Sequence, residues 1–488
     1  MGAGADGARL RRGSGSRLWL APALLAGLGV WLMNGAVLFY FDSPAYLAQG
    51  ERILQLLGLP PGGGGGTAGA GGVAADAGDG LVNATRSTVY ALAVAALARL
   101  GGGGAIVAAN LALTLLAAWL AIRVLAREAG TCRPGGLLLG VPLLAASAGA
   151  LPFYIAYVMP DIFTPVLLIV TALLAVLARR MSFFEILLAA SLGILAVLSH
   201  VSHIPIVAAL LPAVALAARL GGRARWGLAP GLVALILLAG LAEGQAFRAA
   251  AKSVAGAEAI YYPFLTARLI EDGPGWRYLN AKCPDPELAT CALHAVLMRS
   301  DDPYRLTASH IIFQRREDLG SFQLLPPEEQ ARVARAQYRF FVRVFLWAPV
   351  STSLAVVRNT LQQAVMNDVG MTVPDEAVLA SVPERVSAVE FGPGRLGASR
   401  GWLGVLEPVH GTVYALSLAV ILWLVAMPGR LAGALRGFAA MLLLGILANA
   451  FVTGAVSQPA DRYGARVIWL LPWLAALLWM LRERRQDV

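Results

Sequence analysis

The chain has 488 residues, of which 58% are hydrophobic and only 14% are charged. Soluble domains carry about 25% charged residues, so this composition excludes an ordinary soluble protein, and several apolar runs of about 20 residues predict an all-α polytopic membrane protein. The net charge of +10 does not indicate a nucleic-acid partner, because the arginines cluster at the ends of apolar runs, where anionic membrane lipids explain them.

The first predicted span covers residues 18–40. Four arginines precede it, and by the positive-inside rule they place the N-terminus in the cytoplasm: Arg9, Arg11, Arg12 and Arg17. The run is too long for the apolar part of a signal peptide, and no convincing cleavage site follows it, so we interpret it as a retained span. Asp42 then lies where this span reaches the outer face.

The first outer loop, 41–104, contains two segments too short or too polar to span. Residues 43–59 are apolar but interrupted by charges, which predicts a helix lying on the membrane surface, ended by two prolines. The glycine-rich stretch 62–80 predicts a flexible loop. The apolar stretch 88–100 falls short of the roughly 20 residues that a span needs, so we expect a second interfacial or re-entrant helix.

Six further spans complete a predicted N-terminal membrane domain, 1–247. Their positions put each cluster of arginines on the cytoplasmic side, which makes the arrangement self-consistent. The predicted spans are 106–125, 137–158, 163–177, 186–198, 204–218 and 228–247.

Residues 248–404 are predicted to form a large, mostly helical extracytoplasmic domain. This stretch is domain-sized and holds most of the acidic residues. Cys283 and Cys291 lie close together in it, which favours a disulfide over two unpaired thiols, whereas Cys132 is expected to be a free cytoplasmic thiol. The alternative to a wholly extracytoplasmic stretch is one extra span near 340–357.

A C-terminal membrane domain, 405–488, is predicted to contain three more spans, at 410–427, 438–456 and 467–481. About ten spans and two cytoplasmic termini follow. The abundance of arginine and alanine suggests a bacterial source, hence a multi-pass protein of the bacterial inner membrane. Arg462 and Arg466 lie on the outer side, against the positive-inside rule, and an anionic partner is one explanation for them.

The predicted topology collects charged and aromatic side chains from distant segments on the outer rim. Two carboxylates, Asp42 and Asp161, suit proton abstraction from an attacking hydroxyl, and guanidinium groups suit a departing phosphate. An activated donor on this face would be carried by a lipid. The substrate-binding candidates are Tyr46, Arg86, His200, His203, Arg462, Tyr463 and Arg466.

Each candidate has a structural alternative. Asp161 could cap the helix that follows it, and Arg86 could anchor a helix at the membrane surface. His200 and His203 are spaced to share a helix face and could ligate a metal, but without a third ligand they more often form a turn. The two C-terminal arginines could pair with Asp461 or with lipid headgroups.

The order of these features resembles the GT-C superfamily of membrane glycosyltransferases. The resemblance lies in Asp42-Ser43-Pro44-Ala45-Tyr46 after span one, the interfacial helices, Asp161 after span three and the outer domain. It covers the first half of the chain well as architecture and the second half loosely. The best-known members carry Asp-Glu or Asp-Asp where this chain has Asp42-Ser43, so neither the protein mannosyltransferase nor the aminoarabinose transferase branch is assigned.

The resemblance implies that Asp42 is the catalytic base and that Asp161 orients the acceptor or a divalent cation. It implies a sugar donor linked to polyprenyl phosphate and transfer to an outer-face lipid, glycan or protein. The competing functions are a transporter or flippase of lipid-linked intermediates and a ligase or polymerase of preassembled glycans. Transporters place ionisable groups near the midplane, where Glu243 and Asn449 are the exceptions to an otherwise apolar pattern.

Overall fold

A computed structural model describes residues 17–60, 80–131, 135–220 and 227–483. The arginines at positions 9, 11 and 12, the glycine-rich loop up to residue 79 and Cys132 lie outside the described residues. Within these ranges, the first half of the chain contains nine α-helices: α1 (Arg17–Asn34), α2 (Ser43–Leu56), α3 (Thr88–Glu128), α4 (Gly135–Ser147), α5 (Leu151–Ala156), α6 (Phe163–Leu177), α7 (Phe183–Ser199), α8 (His203–Leu220) and α9 (Leu228–Ala255).

The second half is also helical. Eight helices follow α9: α10 (Phe264–Glu271), α11 (Pro274–Lys282), α12 (Thr290–Leu297), α13 (Ala308–Phe313), α14 (Pro327–Trp347), α15 (Pro349–Val365), α16 (Glu376–Ser381) and α17 (Gly394–Gly397). The chain then closes with α18 (Leu403–Ala426), α19 (Gly433–Val456), α20 (Asp461–Ile468) and α21 (Leu470–Leu481).

Seven helical segments within the described ranges are long and apolar enough to cross a membrane. They contain α3, α6, α8, α9, α18, α19 and the pair α20–α21. Three shorter apolar helices, α1, α4 and α7, lie at the positions of the first, third and fifth predicted spans. The helical content and the several apolar segments therefore confirm the predicted class, an all-α polytopic membrane protein. We call these ten segments the apolar bundle.

The predicted boundary between the short apolar stretch 88–100 and the span at 106–125 coincides with a kink inside α3. Gly101 and Gly102 have non-helical backbone angles, and Gly102 has a φ of 59°, which glycine adopts without steric penalty. An added Cβ at Gly102 would lie 3.0 Å from the carbonyl oxygen of Ala388. This kink separates the two halves of α3, and α2 packs against the first half, where Gly50 lies beside Ala91.

Two segments predicted to leave the membrane on the same side are joined directly. Leu38, which follows α1, forms a parallel β-bridge with Tyr157, which follows α5. The Leu38 amide donates to Ala156 at 2.9 Å, and the Val158 amide donates to Leu38 at 2.8 Å. This bridge holds the Asp42 segment beside the segment that carries Asp161.

Part of the predicted domain at 248–404 has a hydrophobic core of its own. Its buried residues run from Ile260 to Val344, together with Leu81 from the first loop, and Cys283 and Cys291 are joined there by a disulfide. Two short parallel strands, β1 (Leu81–Asn83) and β2 (Glu258–Ile260), connect the loop to this core. We call it the outer core.

Residues between 369 and 403 instead pack with the apolar bundle. They include an antiparallel hairpin, β3 (Arg385–Val386) and β4 (Val389–Glu390).

The alternative span at 340–357 is not a straight helix. Helices α14 and α15 meet at Ala348 with a bend of 116°. Pro349 begins α15 and cannot continue the hydrogen bonds of α14. Helix α15 packs against α19 of the apolar bundle, so the bent pair connects the outer core to the bundle.

Candidate functional site

A cavity of about 1550 Å³ lies between one end of the apolar bundle and the outer core. Its wall comes from the start of α2, strands β1 and β2, the starts of α8 and α20, the second half of α9, helices α13 and α14, and the end of α19. Sites for single small molecules usually measure about 300–1,000 Å³. The cavity therefore has room for more than one small group.

Asp42 lies at the edge of this cavity, immediately before α2. Its side chain does not cap the helix; instead Arg86 donates to its Oδ1 from Nη2 at 2.8 Å and from Nε at 3.1 Å. Both hydrogen bonds end on Oδ1, so Oδ2 remains for a hydroxyl group in the cavity. About a third of the Asp42 side chain is exposed (32%).

The position of Asp42 depends on how closely α2 approaches α3. An added Cβ at Gly50 would lie 1.9 Å from the carbonyl oxygen of Ala91, so only glycine permits this approach. Burial alone would lower the pKa of Arg86. The charge of Asp42 and its hydrogen bonds to Arg86 have a larger, opposite effect, so the pKa of Arg86 is raised. Arg86 therefore stays charged next to Asp42. It is a residue of the cavity wall and not merely the membrane-surface anchor considered from the sequence.

Tyr46 also lines the cavity, one helical turn beyond Asp42. Its ring is buried and meets Tyr90 edge to face, with centroids 5.0 Å apart. Burial, and then the charge of Asp42, raise the pKa of Tyr46, so its hydroxyl stays protonated. It can donate a hydrogen bond to a ligand oxygen.

Arg462 is the most unusual group in the cavity wall. Only 6% of the residue is exposed, and its guanidinium lies 4.8 Å from the ring centroid of Tyr40 and 4.8 Å from that of Tyr463. Nη2 donates to the Tyr463 hydroxyl at 3.3 Å, but the buried Nη1 has no hydrogen-bond partner. Within the described ranges, no carboxylate lies within ion-pair distance of it, Asp461 included.

Burying a cation without an anionic partner is unfavourable, so this arrangement indicates a ligand. The guanidinium lies close to both rings and keeps an unpaired donor, and a guanidinium with unused donors can bind a phosphate. The backbone is also held in place, because the Tyr154 hydroxyl donates to the Arg462 carbonyl at 2.5 Å.

Arg466 and Asp161 lie next to this region but outside the cavity wall. Both side chains are fully buried, and Nη1 of Arg466 lies 3.2 Å from Oδ1 of Asp161. Asn449 accepts from Arg466 at 2.8 and 3.2 Å, and Ser202 accepts at 3.4 Å. The structure thus brings the two predicted residues together in a closed network.

The structure does not support helix capping by Asp161, or direct substrate contact by Asp161 and Arg466. Asp161 makes no helix-capping hydrogen bond, and its Oδ2 is buried without a partner. Neither Asp161 nor Arg466 faces the cavity that Asp42 lines. Direct contact with an acceptor or with a donor phosphate therefore has no surface here. The network instead connects α20, which carries Arg462, to Asp161 and to Asn449 on α19.

The two histidines have different surroundings. His203 is fully buried, with Nε2 bonded to Thr164 at 2.7 Å and Nδ1 to the Ala196 carbonyl at 2.6 Å. His200 lines the cavity, and Nδ1 bonds the Ser202 hydroxyl at 2.8 Å. Burial, and then the nearby arginines 466 and 462, lower the pKa of His200, so its ring is neutral near pH 7.

A metal site at these histidines would need a third ligand. No group of three or more His, Cys, Asp or Glu side chains suited to a metal occurs in the part of the chain that the structure describes.

Several residues of the cavity were not singled out from the sequence. Tyr40 stacks on Arg462, and its only sequence signal was its place at the end of the first apolar run, two residues before Asp42. Arg248 and Lys252 on α9 and Arg335 on α14 also line the cavity. The i,i+4 spacing of Arg248 and Lys252 at the end of an apolar run was a usable signal.

No family model, curated protein or solved structure matches this chain. The geometry of the site is therefore the basis for assigning a function.

Proposed function

We propose that the protein is an integral-membrane glycosyltransferase that takes a sugar from a polyprenyl-phosphate donor. One observation carries the proposal: a single cavity joins Asp42, which has an available carboxylate oxygen, to Arg462, a buried guanidinium with no anionic partner. The first suits a general base and the second suits a departing phosphate. The resemblance to the GT-C superfamily assigns the same role to Asp42.

In the proposed reaction, the hydroxyl oxygen of the acceptor attacks the anomeric carbon of the donor sugar. Oδ2 of Asp42 accepts the hydroxyl proton as the new glycosidic bond forms. The bond between the anomeric carbon and the phosphate oxygen breaks, and its electron pair stays on the polyprenyl phosphate. Because the phosphate gains one negative charge in this step, Arg462 interacts more strongly with the product than with the donor, which lowers the barrier.

The proposed membrane arrangement has ten spans. The seven long apolar segments and the three shorter ones, α1, α4 and α7, occupy the positions of the ten predicted spans. With cytoplasmic termini, the cavity and the outer core lie outside the cytoplasm of a bacterial plasma membrane. A lipid-linked sugar and membrane lipids are then the partners available to the site, and no nucleic acid is involved.

The wall of the cavity favours an enzyme over a transporter. Helices α2, α8, α19 and α20 each contribute residues from the end that adjoins the outer core. The basic ends of the bundle, marked by Arg123, Arg179 and Arg219, contribute none to this wall. A transporter needs a binding site that can be reached from both sides near the midplane.

The test compares Asp42→Asn with the wild type in proteoliposomes supplied with radiolabelled polyprenyl-phosphate sugars and membrane lipid extract. General-base catalysis contributes about 10²- to 10⁴-fold, so we expect sugar transfer to fall by that factor. Asp318→Asn is the matched control, because Asp318 is also paired with an arginine, at 2.7 Å, but lies outside the cavity. Wild-type transfer by Asp42→Asn, with insertion and thermal unfolding unchanged, would refute the proposal.

A further inference from the structure

The cavity carries more positive charge than one donor needs. Two of its ionisable cations are already paired within the wall: Arg86 with Asp42 at 2.8 Å, and Arg335 with Glu258 at 3.1 Å. Three cations remain, and in the described part of the chain none of them has a carboxylate within ion-pair distance: Arg248, Lys252 and Arg462.

A polyprenyl-phosphate sugar is a phosphodiester with one negative charge. Arg462 alone matches that charge, and the rings of Tyr40 and Tyr463 lie 4.8 Å from its guanidinium. Arg248 and Lys252 therefore exceed what the donor requires. Both are exposed residues of the cavity wall, and two adjacent cations there favour a second anionic ligand.

The two extra cations lie on one face of α9 together with apolar positions. Leu241, Gln245, Arg248 and Lys252 line the cavity at the spacing of a single helix face. Leu241 and Lys252 are separated by about 16 Å along the axis at 1.5 Å per residue. The wall thus changes from apolar to cationic along the length of one helix.

Two glycines let neighbouring side chains approach the apolar half of this face closely. Gly240 and Gly244 line the cavity between α8 and α9. An added Cβ at Gly240 would lie 3.0 Å from Ile204, and one at Gly244 would lie 2.9 Å from the Tyr261 hydroxyl. The absence of side chains at these glycines therefore brings Ile204 and the Tyr261 hydroxyl close against α9. The Arg248 guanidinium lies 5.2 Å from the ring centroid of Tyr261.

We infer that the acceptor is itself an anionic amphiphile: a lipid or lipid-linked glycan whose phosphate binds Arg248 and Lys252 and whose hydrocarbon lies along Leu241 and Ile204. This inference rests on the proposed function, because it names the acceptor class of the same cavity. An apolar wall that ends at two cations fits a hydrocarbon chain joined to an anionic headgroup better than it fits a peptide.

The test measures lipid binding to the purified full chain in non-ionic detergent by native mass spectrometry. The probes are polyprenyl phosphate for the Arg462 site and dioleoyl phosphatidate for the α9 site, added separately and together. The wild type is expected to bind both at once. Dioleoyl phosphatidylcholine tests whether net charge is needed, and inorganic phosphate tests whether the anion alone is sufficient.

The decisive variant is the double substitution Arg248→Gln with Lys252→Gln. Two basic contacts to an anionic lipid correspond to about a 30-fold change in affinity, so phosphatidate binding should weaken by about that factor while polyprenyl phosphate binding is unchanged. Lys282→Gln with Arg299→Gln removes the same charge from exposed positions outside the cavity and should change neither.

The outcomes separate this inference from the proposed function. Unchanged phosphatidate binding in the double variant, equal binding of phosphatidylcholine, or displacement of phosphatidate by millimolar inorganic phosphate would overturn the anionic amphiphile. Arg462→Gln should instead lose polyprenyl phosphate and keep phosphatidate. If Arg462→Gln keeps polyprenyl phosphate, the proposed function fails, and the α9 site is judged on the double variant alone.

Discussion

Breaking the buried pair between Asp161 and Arg466 should destabilise the protein strongly. Both side chains are completely buried, and their contact is 3.2 Å. Arg466→Met would leave the Asp161 carboxylate with no hydrogen bond, because its Oδ2 already lacks a partner. Removing one partner of a buried ion pair lowers the free energy of unfolding by about 3–5 kcal/mol, and we expect Arg466→Met to lower it by that amount.

A double-mutant cycle gives the magnitude of the coupling. Asp161→Asn should also destabilise, because Arg466 would keep its buried charge with only neutral acceptors around it. Combining Asp161→Asn with Arg466→Met removes both charges, so the double variant should lose less stability than the sum of the single variants. Coupling of about 2 kcal/mol or more is expected.

The assay is equilibrium unfolding in mixed micelles, titrated with sodium dodecyl sulfate and followed by tryptophan fluorescence. The control pair is Arg316 and Asp318, whose side chains are 53% and 62% exposed and whose coupling should be about 1 kcal/mol or less. Additive effects at Asp161 and Arg466, within about 0.5 kcal/mol, would contradict the closed network and return Asp161 to the list of catalytic candidates.

Three further predictions test single features of the site and the fold. Arg462→Lys should weaken polyprenyl-phosphate binding at least about tenfold in a lipid titration, because an ammonium lacks the planar, paired donors of a guanidinium; unchanged affinity would contradict the stacked geometry. Gly50→Val should lower the thermal stability and sugar transfer, because its Cβ would meet the Ala91 carbonyl, whereas Gly29→Val, with nothing within 4 Å, should do neither. Cys291→Ser should lower the free energy of unfolding by about 2.5 kcal/mol, on the chain-entropy model for an eight-residue loop. Dithiothreitol should lower the unfolding temperature of the wild type to that of the variant. A wild-type unfolding temperature that does not respond to dithiothreitol would show that the disulfide adds no stability.

The membrane class could be predicted from the sequence because apolar run length is a local property. The kink in α3 was also predictable, since four consecutive glycines interrupt an apolar run. Likewise, Pro349 marks the bend between α14 and α15. These features depend on a few neighbouring residues.

The pairing of the outer charges could not be predicted in the same way. Arg462 and Arg466 are four residues apart and looked equivalent in the sequence, yet one faces the cavity and the other contacts Asp161 and Asn449 in the core. Which arginine has an anionic partner depends on how α6, α19 and α20 pack, and that depth is a tertiary property. Tyr40 was missed for the same reason.

An experimental structure of the wild-type chain with bound polyprenyl phosphate tests the central claim most directly. We predict that the phosphate contacts the guanidinium of Arg462 beside the rings of Tyr40 and Tyr463 and that Nη1 turns to donate to it, with Asp42 facing the headgroup across the cavity. A phosphate bound elsewhere, with Nη1 of Arg462 still lacking a partner, would contradict the account.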